Sequence, residues 1–208
     1  MRRANVQLQA DRRFEILQAA QTCFARSGFH QTSMQEICAE AGMSPGNLYR
    51  YFRSKEEIIA GIAERDRADA AEQFAAVGKG DFFDGLAALA QHHLVERSAE
   101  EVALCAEIMA ESRRNPAVAR IYQDMEVDVR ARFIALLRSA AERGEIRDID
   151  LEGTVTVLFA LADGLSWRRA VEPSFNAESV MPIVLGMVEQ MLINPAGDRK
   201  GTGTGEVS

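Results

Sequence analysis

Helix-start signals recur along this chain, and strand signals do not. Ser33 is followed three residues later by Glu36, Ser54 by Glu57 and Ser98 by Glu101. Each pair is a capping box, in which a hydroxyl and a carboxylate satisfy backbone N–H groups that a helix start leaves bare. Asp81, Asn115-Pro116 and Asp150 add three further caps. Nowhere does a β-branched run alternate with period two, and no Asn-Gly or Asp-Gly turn separates two strand-like runs. The chain is therefore read as all-α with about nine helices.

The first helix is predicted from about Asp11 to Ser27, with Ile16, Leu17, Ala20, Cys23 and Phe24 on one stripe and Gly28 as its stop. The second opens at Ser33, buries Met34, Ile37, Cys38 and Ala41, and ends at Gly42. The third opens at Ser44-Pro45 and runs to about Phe52, and the fourth runs from Ser54 to about Val77. Lys79-Gly80 breaks the chain. Later helices span about Asp81–Glu96, Ser98–Arg114, Asn115–Arg143 (stopped by Gly144), Asp150–Val171 (followed by Pro173) and Glu178–Ile193. Residues 195–208 are rich in Gly and Thr and are expected to be a disordered tail.

Several function classes are excluded early. The apolar fraction is 47% and the charged fraction 26%, an ordinary globular balance. No apolar run approaches the roughly 18–20 residues of a membrane span, and the N-terminus lacks an apolar segment of signal-peptide type. A cytoplasmic protein with no membrane partner is expected. Cys23, Cys38 and Cys105 are too sparse for a disulfide framework or a metal clip, and fit a reducing compartment. No phosphate loop, dinucleotide fingerprint, HExxH or GxSxG elbow is present, so no enzyme activity, metal or cofactor is expected.

Charge is unevenly divided. The formal net charge is −7, which alone argues against a nucleic-acid partner. Yet residues 1–55 hold eight of the 24 basic side chains and only four of the 31 acidic ones. A basic end on an acidic body is the footprint of one polyanion-facing surface.

That basic end contains two short helices joined by Gly42-Met43-Ser44, a helix-turn-helix. At 100° per residue, Leu48 and Phe52 point inward together. Gly46, Asn47 and Arg50 lie opposite, flanked by Tyr49 and Arg53, with no aliphatic side chain among them. Gly46 lets a duplex approach the backbone closely. Asn47 and Arg50 carry groups that bond base edges. Tyr49, Tyr51 and Lys55 suit phosphate oxygens, and Ser33 and Ser44 mark helix N-termini that attract phosphate. A helix-turn-helix with a polar outer face also occurs in all-α proteins that never touch DNA.

The stretch from Thr32 to Glu57 resembles the DNA-binding signature of the tetracycline-repressor (TetR) family of bacterial regulators. The resemblance rests on Ala41-Gly42, on Ser44, Gly46 and Leu48-Tyr49, on Phe52 and on Ser54-Lys55-Glu56. Ile16, Leu17, Ala20, Phe24 and Gly28-Phe29 are similar to the family's first helix, so the likeness covers about residues 12–59. It implies that Thr32, Ser33, Ser44, Tyr49, Tyr51 and Lys55 hold phosphates. It also implies that Pro45, Gly46 and Asn47, joined by Arg50, face base edges. Tyr51 stands where the family more often has His, and Asn47 where it has Thr or a similar small residue, so the operator sequence is not specified.

The resemblance further implies a DNA-binding domain over residues 1–54 and a ligand-binding and dimerisation domain over 55–194. The residues fit independently. The last two helices are apolar on more than one face (Val155, Val157, Phe159 and Leu165; Val180, Ile183, Met187 and Met191), and a helix apolar all round must be buried all round. A second copy of the chain, laid against both helices, would cover them. The expected function is a homodimeric regulator, a repressor of a palindromic DNA operator, released when a small, mostly apolar effector shifts the fourth helix. Phe82, Phe83, His93, Met109, Tyr122, Met125, Phe159 and Trp167 are the candidate pocket residues, and the same side chains would serve equally as core. Asp163 and Arg168 suit either an interface pair or a ligand contact. Two other readings stay open: a ligand-independent DNA-binding protein of chromosome organisation or cell division, and a small all-helical enzyme.

Overall fold

The computed structural model describes residues 2–78, 80–172 and 174–193, with side chains from Gln7 onward. Among these there are nine α-helices and no strand: α1 (Arg2–Gln31), α2 (Met34–Glu40), α3 (Pro45–Leu48), α4 (Lys55–Val77), α5 (Phe82–Gln91), α6 (Ala99–Ser112), α7 (Pro116–Glu142), α8 (Leu151–Val171) and α9 (Ala177–Leu192). The predicted tail, Lys79 and Pro173 lie outside the described residues.

The caps act as the sequence predicts, with one difference. Ser33 and Ser98 each form a complete, reciprocal box with the acid three residues on. Ser54 accepts the Glu57 N–H, but the Glu57 carboxylate reaches back to the N–H of Arg53 instead, at 2.7 Å. This reach ties the end of the recognition segment to the start of α4.

Three elements depart from their predicted outlines. α1 starts at Arg2 rather than near Asp11. Its first turns carry no apolar stripe, so periodicity misses them. They are nonetheless made of good helix formers, and Gln7 bonds Asp11 across one turn at 2.9 Å. α3 ends at Leu48, four residues short of Phe52. There the N–H groups of Arg50 and Tyr51 turn to the carbonyls three residues back, a tighter winding than an α-helix. α5 stops at Gln91, and His92–Glu96 continue as a π turn.

Two apolar cores organise the packing. The first gathers Ile16, Leu17 and Phe24 of α1, Ile37 and Cys38 of α2, Leu48, Phe52, and Ile58, Ile59 and Ile62 of α4. Leu104 of α6 and Val118 of α7 complete it, so the second half of the chain seals the base of the first. The second core joins α4, α5, α7, α8 and α9 through residues such as Val77, Leu137, Val155 and Leu192. α9 buries Met181, Val184 and Val188 on its inner face. Its outer face leaves Ile183 65% exposed, and α8 leaves Val157 54% exposed, with Trp167, Val171 and Met187 similarly open.

Gly61 sets how closely α4 approaches the recognition segment. A Cβ there would lie 3.0 Å from both Leu17 Cδ2 and a Phe52 ring carbon. Gly61→Val should therefore overpack the first core and lower unfolding free energy by about 1–3 kcal/mol, read by urea titration. Unchanged stability would show that this seam has slack.

Candidate nucleic-acid interface and ligand cavity

Gly42, at φ +62°, makes the turn between α2 and α3. Leu48 and Phe52 anchor the segment in the first core, which turns its other face outward. Ser33, Ser44, Pro45, Gly46, Tyr49 and Arg50 are exposed there, with Asn47, Tyr51 and Lys55 half-buried beside them. The Ser44 side chain caps nothing in the protein. Ser33 accepts the Glu36 N–H at 3.2 Å and donates its own N–H to the Glu36 carboxylate at 2.6 Å. That backbone bond, with the hydroxyl behind it, holds the Glu36 carboxyl below its ordinary range.

Two predicted contacts have other duties. Thr32 is only 2% exposed, and its hydroxyl donates inward to the carbonyls of Gly28 (2.8 Å) and Cys23 (3.1 Å). It locks the end of α1 rather than facing outward with the others. The Lys55 ammonium donates to the Phe29 carbonyl and lies 4.4 Å from the centroid of that residue's ring. Its charge stays near the surface, but its position is set by the α1 terminus.

The α1 terminus is also held from below. Gly28, at φ +77°, breaks α1. The Glu107 carboxylate of α6 accepts the Phe29 N–H at 2.7 Å. One turn further along, Glu111 Oε2 lies 2.7 Å from His30 Nε2. Glu111 is 2% exposed, and its other oxygen has no hydrogen-bond partner among the described residues. Asn115, which caps α7, donates to Glu56 of α4 at 3.1 Å.

Below this junction lies a cavity of about 420 Å³, walled by side chains of α4 to α9. Of the eight candidate pocket residues, His93, Met109, Tyr122, Met125, Phe159 and Trp167 line it. Phe82 and Phe83 do not. At the first turn of α5 their rings meet edge to face, 5.2 Å between centroids, and pack into the second core instead. Cys23 and Cys38 are buried core residues.

The cavity also holds polar groups that sequence reading missed. Asp66 sits on the inner stripe of α4 with Ile59, Ile62, Ala63 and Ala70, so a charge on an apolar face was its readable signal. Burial pushes its carboxyl up, against the pull of Arg65 and Arg97. Arg97 follows the π turn, in a stretch with no periodicity to read. Its guanidinium donates to Cys105 Sγ at 3.3 Å, the charged partner that the sequence did not reveal. Burial raises the Cys105 thiol, so it stays protonated and a poor nucleophile. Asp163 lines the cavity and is pushed up by burial and by Glu126, whereas Arg168 pairs with Glu172 at 3.1 Å. Tyr122 is pushed up to about 12 by burial, then by Asp163 and Glu126.

His93 lines the cavity and keeps exposed surface there. Burial, followed by the positive charge of Arg97, His92 and Arg169, lowers its pKa to about 4. Its charge then tells on stability in acid. As pH falls from 6.5 towards 4, the unfolded chain takes up a proton that the folded chain refuses, so stability is lost across that window. Between about pH 7 and about pH 4.5, wild type should lose more unfolding free energy than His93→Gln. Parallel profiles in urea titrations would place His93 in bulk water.

Comparison with known proteins finds two family matches along the chain. Residues 16–62 match the family described as bacterial regulatory proteins, tetR family, and residues 85–193 match the BetI-type transcriptional repressor C-terminal family. The chain is 34% identical over 163 residues to the HTH-type transcriptional regulator UidR of Escherichia coli, covering 77% of this chain and 83% of that protein. It is 28% identical to the HTH-type transcriptional repressor BepR of Brucella suis over 94% of this chain and 98% of that one. Salmonella enterica GusR superposes with a TM-score of 0.75 at 35% identity, over 88% of this chain and 95% of that one. No described helix is long and apolar enough to cross a membrane. The chain belongs to the TetR family of helix-turn-helix transcriptional regulators.

Proposed function

We propose that this regulator is a homodimeric cytoplasmic repressor that grips a palindromic operator and lets go when a small, mostly apolar organic ligand fills the cavity. The observation that carries this reading is the double duty of α6. Glu101, Val102, Cys105 and Met109 of that helix line the cavity, while Glu107 and Glu111 hold the α1 terminus beneath the recognition segment. A ligand that moves α6 cannot leave the reader undisturbed. It favours release only by binding the released state better.

In this reading residues 1–54 read DNA and residues 55–194 sense and dimerise. Ser33, Ser44, Tyr49, Tyr51 and Lys55 hold phosphates, and Pro45, Gly46, Asn47 and Arg50 meet base edges. Gly46 supports the assignment. A Cβ there would touch nothing in the protein, so internal packing gives no reason for a residue that costs a helix about 1 kcal/mol. Close approach of a duplex gives one. The open faces of α8 and α9 support dimerisation through those two helices. Two-fold symmetry then sets half-sites about 34–36 Å apart, or a multiple of that.

Selection of bound fragments from a random duplex pool tests the reading. A palindrome is expected. Recovery of no sequence, from protein refolded free of small molecules, would overturn it. On the selected site, Tyr49→Ala should weaken binding to all sequences about equally, whereas Asn47→Ala should relax discrimination at particular positions. A positional effect from Tyr49→Ala would redraw the contact face. Glu107→Ala should lower operator affinity about 5-fold or more while leaving the salt dependence unchanged, because phosphate contacts are kept. A shallower salt slope would mean that Glu107 acts through the DNA charges instead.

A further inference from the structure

The cavity wall carries one arginine without a close ion pair, although Asp66 and Glu101 act on it at longer range. Arg97 has no carboxylate within 4.0 Å among the described residues, and its side-chain hydrogen bond goes to a thiol, a weak acceptor. The nearest acids are already engaged. Asp66 takes the Arg65 guanidinium at 3.1 Å, and Glu101 takes the Ser98 N–H at 2.7 Å. Arg169, the neighbouring cation, donates to the carbonyls of Leu94 (3.0 Å) and Arg97 (2.8 Å).

Those same bonds fix where Arg97 stands. Its N–H closes the π turn on the His92 carbonyl, its own carbonyl is held by Arg169, and the next residue is locked in the Ser98–Glu101 box. The backbone of Arg97 is thus fixed, and the bond to Cys105 places its guanidinium at the cavity wall with planar N–H pairs to spare. His93 beside it stays neutral at working pH and adds a hydrogen-bonding edge without a second charge. Most of the remaining wall is apolar, with Met109, Phe133, Leu158 and Phe159 among its larger side chains.

We infer that the cavity takes an amphipathic organic acid, its apolar body along Met109, Phe133 and Phe159 and its carboxylate seated on the Arg97 guanidinium. The inference rests on reading the cavity as the effector site. A carboxylate fits because its two oxygens match one planar N–H pair and its single charge matches one cation without a close ion pair.

Three probes with one body and different heads decide it: 4-butylbenzoate, 4-butylbenzyl alcohol and 4-butylbenzylamine. The chain has a single tryptophan, Trp167, and it lines the cavity, so its fluorescence reports occupancy without DNA. The acid should bind wild type about 10-fold or more tightly than the alcohol. Arg97→Gln should erase that preference while leaving the alcohol's affinity within about 2-fold. Should Arg97→Gln fail to fold, Arg97→Lys, which keeps the charge but not the planar fork, should lose part of the preference. Equal affinity for the three, preference for the amine at the Asp163–Glu126 end, no binding of the acid at millimolar concentration, or a preference unchanged in both variants would overturn the inference. Operator affinity measured in the same samples separates this claim from the one it rests on. Acid bound with no loss of operator affinity would sink release and spare the acid site. Release by the alcohol or amine but not the acid would do the reverse.

Discussion

α1 is broken at Gly28, and the break is held by carboxylates from a helix about 80 positions along the chain. The other features of the junction follow from this. A Cβ at Gly28 would sit 3.0 Å from Glu107 Oε1, so the glycine both permits the left-handed turn and makes room for the acid. Glu107 satisfies the Phe29 N–H, and Lys55 satisfies the Phe29 carbonyl from the opposite side. One residue is thus gripped by both α4 and α6, two of the helices that also wall the cavity. Glu111 works against stability, because burying a carboxylate is unfavourable even when one of its oxygens is paired. A core built only for stability would replace it with an apolar residue.

The cavity is costly in the same sense. Side chains that face a cavity give up some of the contacts that a packed core would supply. The second core nevertheless opens around polar groups (Asp66, His93, Arg97, Tyr122 and Asp163) whose burial is itself unfavourable. Stability given up in one place and built into a specific shape is the usual sign of a site that serves function. The first core shows the contrast. It is closed, apolar and anchored by Phe24, Phe52 and the isoleucines of α4, as a rigid reading head requires.

Local chemistry made much of this legible in the sequence. Ser33–Glu36, Ser98–Glu101 and Asn115-Pro116 announce helix starts because cap bonds span only three residues. Leu48 and Phe52 declare the inner face of the recognition segment, and Gly42 its turn. What long-range packing decides was less readable. Phe82 and Phe83 have the size and chemistry of pocket residues, yet the position of α5 turns them into the core. Thr32 matches a family contact, yet the carbonyls of Gly28 and Cys23 claim its hydroxyl. The π turn at His92–Glu96 leaves no mark in the pattern, and it delivers Arg97 to the cavity wall. Arg97 lies outside any helical stripe, so only the three-dimensional wall reveals it.

α8 faces both the cavity and the surface. Leu158, Phe159, Ala162 and Asp163 look into the cavity, while Val157 and Val171 on the same helix are open at the surface. Trp167 lines the cavity and is half-exposed. In the proposed dimer the partner lies against that outer face. A ligand would then press on the subunit interface through α8 at the same time as on the reader through α6. The two effects need not be transmitted along one path. In that dimer both would reach the distance between the two recognition segments, which a palindrome with fixed half-site spacing would restrict. Small displacements at two ends of one cavity would then couple an occupant to the proposed operator, provided that the occupant prefers the displaced state.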